Sequence, residues 1–294
     1  MSDLFDFKTR PSGYAVMGNP VTHSKSPLIH HLFAQQTGIE IRYDRIQVDV
    51  GGFRQAVSHF SANGGAGLNI TVPFKVEAWQ LCQTEKSRIS PRAQLAESVN
   101  TLQFNGDGTL FGDNTDGPGL VADLQNNLGF GIQDKSILLI GAGGAVRGVL
   151  GSLHECNPER IVIANRTADK AVRLSKRFDQ RVEGTGLHRV PNDEFDLVIN
   201  GTAASLGGTL PGIDKKCLGA DTAVYDMMYA DQPTVFMKWG LSNGAAHAHD
   251  GLGMLVEQAA ESFYVWHRQR PDSQPVIHAI RKEHGKTSPP GNLC

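Results

Sequence analysis

The chain has 294 residues, 28 basic against 30 acidic, for a formal charge of −2. That length suggests two domains and allows a sizeable buried core, while the charge balance leaves no global field to draw nucleic acid or an anionic membrane. The apolar runs are far too short to span a bilayer. "MSDLFDFKTR" at the start has no apolar core and does not read as a secretory signal, so a cytoplasmic location is expected. Cys82, Cys156, Cys217 and Cys294 lack CxxC spacing and are expected as thiols, three of them packed as small hydrophobes and one in the tail. Asn69, Asn165 and Asn200 each begin an N-x-T pattern. Without a secretory route these are not glycan acceptors, and each needs another explanation.

In chain order, "YAVMGNP" reads as a buried strand, and Ser26-Pro27 as a helix start with a capping hydroxyl, the helix ending at Gly38. "IRYDRIQVDV" alternates as a strand, "FRQAVSHFSANGG" is a helix with a glycine stop, and "LNITV" is the next strand. "TLQFNGDGTLFG" predicts a hairpin about Asn-Gly-Asp-Gly. From Gly117 the pattern restarts with a helix "GLVADLQNNLG", a strand into a glycine turn "SILLIGAGGA", a strand "RIVIANRT" and a helix "ADKAVRLSKRF". Strands "FDLVIN" and "AVYDMMY" follow, then one long helix over 250–270 and a tail, "GKTSPPGNLC", expected to lack order. Strands separated by helices predict parallel sheets of right-handed βαβ units.

Gly141, Ala142, Gly143, Gly144 and Ala145 form a turn between an apolar strand and a helix, where backbone N–H groups can receive a pyrophosphate. The third glycine of the dinucleotide fingerprint is replaced by Val146, so the helix start must pack differently. The second strand of the unit ends on Asn165-Arg166-Thr167, where an NAD site would carry an acid. An acid would repel a 2′-phosphate and a guanidinium pairs with it, so NADP is the expected cofactor.

Upstream, "GNPVTHSKSP", "GLNITVPFK", "ESVNTL" and "GDNTDGPG" present Ser24, Ser26, Asn69, Thr71, Lys75, Asn100 and Asp116. Such hydroxyls and amides suit a ligand with several hydroxyl groups. Taken singly, Ser26 and Asp116 could be helix caps, and Asn69 and Asn100 turn residues. His30-His31 reads as core edge plus solvent. His247 and His249 share a strand face without a further ligand cluster, so no metal site is expected.

Those motifs, with "NTDG", "GAGGA", "NRT", "YDMMY" and "DGLGMLVEQAA", occur in an order that closely resembles the shikimate dehydrogenase family over nearly the whole chain. The resemblance implies a two-domain α/β fold, an open α/β substrate-binding domain and a Rossmann-like doubly wound NADP-binding domain with a cleft between them. Residues 1–115, completed by 251–294, would form the first, and 116–250 the second. It implies NADP-dependent reversible reduction of 3-dehydroshikimate to shikimate, in aromatic amino-acid biosynthesis. Ser24 and Ser26 would hold the substrate carboxylate, and Asn69, Thr71, Asn100, Asp116 and Gln258 the ring hydroxyls. Lys75 and Asp116 would be the catalytic pair, which also contacts substrate. Tyr229 and Gly251 would lie by the cleft, with Asn200, Thr202 and Met227 beside the nicotinamide. "NGTAASLGG" departs from the tighter Asn-x-Thr-Ser-x-Gly run of the family.

A carboxylate beside Lys75 favours the ammonium that reduction needs, whereas burial favours the neutral amine that oxidation needs. A quinate or dual-specificity dehydrogenase, a methylene-tetrahydrofolate dehydrogenase and a catalytically silent NADP-binding sensor are the alternatives. The expected partner is a small molecule rather than nucleic acid or membrane, with a homodimer left open.

Overall fold

The computed structural model describes residues 12–84 and 86–284. The first eleven residues and the tail, with Cys294, lie outside the described residues. The first half runs β1 (Ser12–Gly18), α1 (Ser26–Thr37), β2 (Ile41–Gln47), α2 (Phe53–Ala62), β3 (Gly65–Ile70), α3 (Lys75–Leu81), β4 (Ser87–Ile89), α4 (Pro91–Ala96), β5 (Thr101–Phe104) and β6 (Leu110–Asp113). After α5 (Asp116–Ala122) come β7 (Ser136–Ile140), α6 (Gly144–Glu155), β8 (Arg160–Asn165), α7 (Ala168–Ser175), β9 (Val182–Gly186), β10 (Phe195–Asn200) and β11 (Leu218–Asp226). The chain then adds α8 (Val235–Ser242), β12 (His247–Asp250), α9 (Leu252–His267) and α10 (Gln274–His284).

Two six-stranded sheets result, ordered β2-β1-β3-β5-β6-β4 and β12-β11-β10-β7-β8-β9. The second is parallel throughout, in the order of a doubly wound dinucleotide fold, with its switch point between β7 and β10. Its central strands are buried on both faces, which is why "SILLI" and "FDLVIN" read as near-continuous apolar runs. The first sheet is mixed, because β5 runs antiparallel to both β3 and β6 in the predicted hairpin.

Helix α9 leaves the second sheet and packs on elements of the first half. Leu252, Val256, Ala259 and Phe263 share a core with Ile29 and Phe33 of α1 and with Val276 and Ile280 of α10. Near its end, Trp266 Nε1 donates to the Leu102 carbonyl of β5 at 3.0 Å. Helix α5 sits between α6 and α9 at very close range. A Cβ on Gly117 would lie 2.9 Å from the Gly148 carbonyl oxygen, and one on Gly119 would lie 2.7 Å from the Gln258 nitrogen.

Three expectations need correction. Ser26 does not cap α1: Lys25 holds the cap position without a side-chain bond, and the Ser26 amide instead donates to Ser24 Oγ at 3.3 Å. The helix expected from Gly117 onward gives way after Ala122 to a π turn over Asp123–Asn127. There Asp123 accepts from the Tyr225 hydroxyl at 2.7 Å and from Asn127 Nδ2 at 3.0 Å, so the wider turn carries a buried polar contact to β11. His30 is not at the core edge but fully buried, because Trp266 and Phe263 of α9 cover it.

Candidate active site

Lys75 and Asp116, 41 residues apart in sequence, each begin a helix, and Lys75 Nζ donates to Asp116 Oδ2 at 2.6 Å. Their side chains are 19% and 8% exposed, so the pair is largely but not wholly withdrawn from water. Asp116 is not the cap of α5: Thr115 holds that position, without a side-chain bond. The other Asp116 oxygen, Oδ1, accepts from Asn100 Nδ2 at 2.8 Å. The turn before α5 is held by Asn114, whose Oδ1 accepts the Asp116 amide at 3.1 Å while its Nδ2 donates to the Ser98 carbonyl. Arg92 of α4 braces the same turn, pairing through two nitrogens with Asp113 and reaching Glu261 of α9 at 2.8 Å.

The polar groups around this pair have defined hydrogen-bond directions. The Thr115 amide must donate, so Asn100 Oδ1 accepts it (2.8 Å) and Asn100 Nδ2 faces Asp116. Thr101 Oγ1 donates to that same Oδ1 at 3.0 Å, and Ser262 Oγ donates to the Gln258 carbonyl at 2.9 Å. With each hydroxyl proton engaged there or in the 2.9 Å contact between the two hydroxyls, both accept from Asn69 Nδ2, at 3.3 and 2.8 Å. Asn69 Oδ1 in turn accepts from Tyr43 at 2.7 Å and contacts His30 Nε2 at 3.2 Å. Ser24 and Ser26 stand at the start of α1 with their hydroxyls 3.1 Å apart, and Arg45 fixes the loop through the Ser24 carbonyl. A polar run therefore extends from Asn69 to Lys75 and draws on β3, β5, α3, α5 and α9.

Gln258 belongs to it, its Oε1 lying 3.4 Å from both Asn100 Nδ2 and Thr115 Oγ1. Thr71 follows β3, with its methyl packed against Gly18. Tyr229 packs on the core shared by α1, α9 and α10, and its hydroxyl is held above the usual tyrosine range by burial and then by the Asp250 charge.

On the second sheet, Gly141 has φ +112°, a conformation that a side chain resists, and its N–H donates to the Ala164 carbonyl. Gly143 and Gly144 begin α6 with open space where their Cβ atoms would stand, while Ala142 and Ala145 pack partly on the core below. Such a start, with free N–H groups and room for close approach, fits a pyrophosphate. Arg166 and Thr167 are exposed beyond β8, and Asn165 Nδ2 donates to the Thr167 carbonyl at 2.9 Å. Asn200 ends β10 fully buried; its Oδ1 accepts from Thr202 Oγ1 at 2.7 Å and its Nδ2 donates to Asp226. The Met227 amide donates to the Asn200 carbonyl, and Gly251 packs so tightly that a Cβ there would lie 2.2 Å from the Met227 carbonyl oxygen. Asn200, Thr202, Met227 and Gly251 thus meet at the C-terminal ends of β10 to β12.

Residues 16–102 match the family described as shikimate dehydrogenase substrate binding domain, 123–207 match shikimate / quinate 5-dehydrogenase, and 251–281 match shikimate 5'-dehydrogenase C-terminal domain. The chain is 54% identical over 272 residues to the shikimate dehydrogenase (NADP(+)) of Alkalilimnicola ehrlichii, covering 92% of this chain and 98% of that one. It is 50% identical over 275 residues to the protein of the same name from Nitrosococcus oceani, covering 93% and 96%. The chain belongs to the shikimate dehydrogenase family. The solved shikimate 5-dehydrogenase of Thermus thermophilus, in complex with NADP(H) and shikimate, superposes with a TM-score of 0.80 at 29% identity, covering 92% of this chain and 99% of that one.

For a shikimate dehydrogenase with Val146 in place of the third fingerprint glycine, the compensation lies across the turn. A Cβ on Gly201 would stand 2.4 Å from Val146 Cγ2, so the missing side chain at 201 makes the room for the valine. Gly201→Ala should therefore destabilise the fold by about 1–3 kcal/mol through overpacking, and Val146→Ala in the same chain should restore most of it. Urea unfolding of the single and double variants checks this; equal losses in both would refute the pairing.

Sequence reasoning missed Tyr43, Thr101, Thr115 and Ser262, and assigned His30 elsewhere. Ser262 was within reach of a spacing argument, since it lies four residues after Gln258 and so on the same helix face. The His247 and His249 rings stack 6.2 Å apart, and among the described residues no group of three or more His, Cys, Asp or Glu could hold a metal ion.

Proposed function

We propose that this protein catalyses the reversible NADP-dependent reduction of 3-dehydroshikimate to shikimate, with Lys75 and Asp116 as its acid–base pair. The observation that carries the reading is the 2.6 Å Lys75–Asp116 contact at the head of the polar run from Asn69. Bound NADPH supplies the hydride to the C3 carbonyl carbon. As that carbon is reduced its oxygen needs a proton, and the Lys75 ammonium gives one up; in the reverse direction the neutral amine takes it back. Asp116 orients Lys75 through Oδ2 and is itself held through Oδ1 by Asn100, so the donor has one position. Asn69, Thr71, Asn100, Asp116 and Gln258 hold the ring hydroxyls, Ser24 and Ser26 the carboxylate, and Tyr229 borders the ligand.

The turn at Gly141–Ala145 receives the pyrophosphate, Asn165, Arg166 and Thr167 the 2′-phosphate, and Asn200, Thr202, Met227 and Gly251 the nicotinamide end. A cytoplasmic enzyme fits the free thiols of Cys82 and Cys217, which burial pushes up to about 12 and about 11. Among the described residues no helix is long and apolar enough to cross a membrane.

The test is turnover of shikimate and of quinate with NADP⁺ and with NAD⁺, read by nicotinamide absorbance. Activity confined to NAD⁺, or none with shikimate, would refute the proposal. A silent NADP-binding sensor has no need of the intact Lys75–Asp116 pair. Within the same assay Arg166→Ala should cut the NADP-over-NAD preference by about ten- to a hundredfold, the span of one charge-assisted contact. An unchanged ratio would remove Arg166 from phosphate binding.

A further inference from the structure

We propose that His30 is a positioning residue: with the Tyr43 hydroxyl, its Nε2–H locks the Asn69 carboxamide in the orientation that feeds the polar run toward Lys75 and Asp116. This rests on the reading of Asn69 as a substrate-binding side chain. His30 is 0% exposed, stacks on Tyr43 at 4.2 Å between ring centroids and 9° between planes, and lies 5.3 Å from Trp266 and 6.1 Å from Phe33. A phenyl ring in this aromatic cage would leave no buried polar atom unpaired. The imidazole leaves Nδ1 buried with no hydrogen-bond partner, which costs free energy. What it gains is the single contact from Nε2 to Asn69 Oδ1.

The direction of that contact follows from its surroundings. Asn69 Nδ2 faces Ser262 and Thr101, each left as an acceptor, and the Asn100 carbonyl at 3.4 Å, which can only accept. Asn69 Oδ1 must then point at His30 and Tyr43, so His30 Nε2 carries the proton and Tyr43 donates as well. A flipped carboxamide would set its oxygen against the Asn100 carbonyl. Burial first, and His267 to a smaller extent, push the His30 pKa down to about 3 against the pull of the Asn69 bond, so the ring stays a neutral, single donor at neutral pH. Asn69 is thus oriented from below by two ring-borne donors that are themselves stacked.

The experiment is steady-state kinetics with shikimate and NADP⁺ for His30→Phe, which keeps the ring and removes the donor, for His30→Gln, which keeps a donor, and for Tyr43→Phe. His30→Phe should raise the KM for shikimate about five- to tenfold, as expected for one lost buried hydrogen bond, and leave the KM for NADP⁺ unchanged. His30→Gln should recover part of the loss, and the His30→Phe/Tyr43→Phe double variant should lose less than the product of the two singles. Should His30→Phe not fold, His30→Leu serves as the donor-free variant. A donor-free protein with altered thermal stability but wild-type KM would make His30 a packing residue and overturn the proposal. A second readout needs no substrate: the Asn69 side-chain amide protons should exchange slowly in the wild type and faster in the donor-free variant. Unchanged exchange would overturn the positioning role, whereas absence of shikimate turnover in the wild type would overturn the proposed function alone.

Discussion

Lys75→Met should lower kcat by about two to four orders of magnitude, the usual contribution of a positioned general acid or base, while the KM for shikimate moves little. Methionine keeps the apolar stem of lysine as far as Cε but offers no proton. Asn69 and Asn100, two of the side chains assigned to hold the ligand, remain in place through Thr101 and Ser262 rather than through Lys75. Binding should therefore outlast the chemistry. Lys75→Arg should not rescue it: a guanidinium can still pair with Asp116 but does not release its proton near neutral pH. Initial rates in both directions, with thermal unfolding as a check on the fold, give the answer. A Met variant with near-full turnover would exclude lysine from the reaction.

The second large effect concerns stability in acid. His30 titrates near 6.5 in the unfolded chain and at about 3 in the folded one. Between those values the unfolded state holds a proton that the folded state lacks, so unfolding becomes easier as pH falls. The contribution of His30 is present in full above pH 6.5 and is lost progressively as pH falls toward 3, on the order of several kcal/mol in all. His249 and His267 are also lowered, chiefly by burial, and add losses of the same sign. Asp123, raised chiefly by burial, has the opposite sign: its folded form binds a proton more tightly than the unfolded chain, so it offsets part of the loss as pH drops through its window. Urea midpoints measured from pH 7 to pH 4 should therefore fall steeply in the wild type and more gently in His30→Phe. Identical slopes would mean that His30 does not carry this linkage.

The parallel sheet was legible in the sequence because strands buried on both faces leave long apolar runs, and because the turn at Gly141 needs a residue free to adopt positive φ. The hairpin was legible from its Asn-Gly-Asp-Gly turn, in which Asp107 accepts from the Thr109 amide at 2.9 Å. Lys75 and Asp116 stood out among the polar motifs, but their pairing came only through family resemblance, since nothing in local periodicity brings together two side chains from separate helix starts. Short elements such as β4 and α4 carry too few residues to display a period, and α10 was not recognised at all. The misplacement of His30 has the same root. Its neighbour His31 is exposed on the same helix, and the ring that roofs His30 belongs to Trp266, near the far end of the chain. Ser26 followed the rule for a capping serine, but the backbone at Lys25 is already helical, so no side chain reaches back.

Helix α5 has a further implication. The residue that begins it, Asp116, lies 3.1 Å from where a methyl on Gly148 would be, and the next turn is wedged against α6 and α9 by glycines. At Gly117 and Gly119 the nearest atoms include backbone, so one added carbon there would force the helices apart. A change to Gly117, Gly119 or Gly148 would press on the helix start that carries the acid, and so should cost activity as well as stability. Substitutions that never approach the ligand would then mimic the loss of a reacting group, and screens for inactive variants should recover them alongside Lys75.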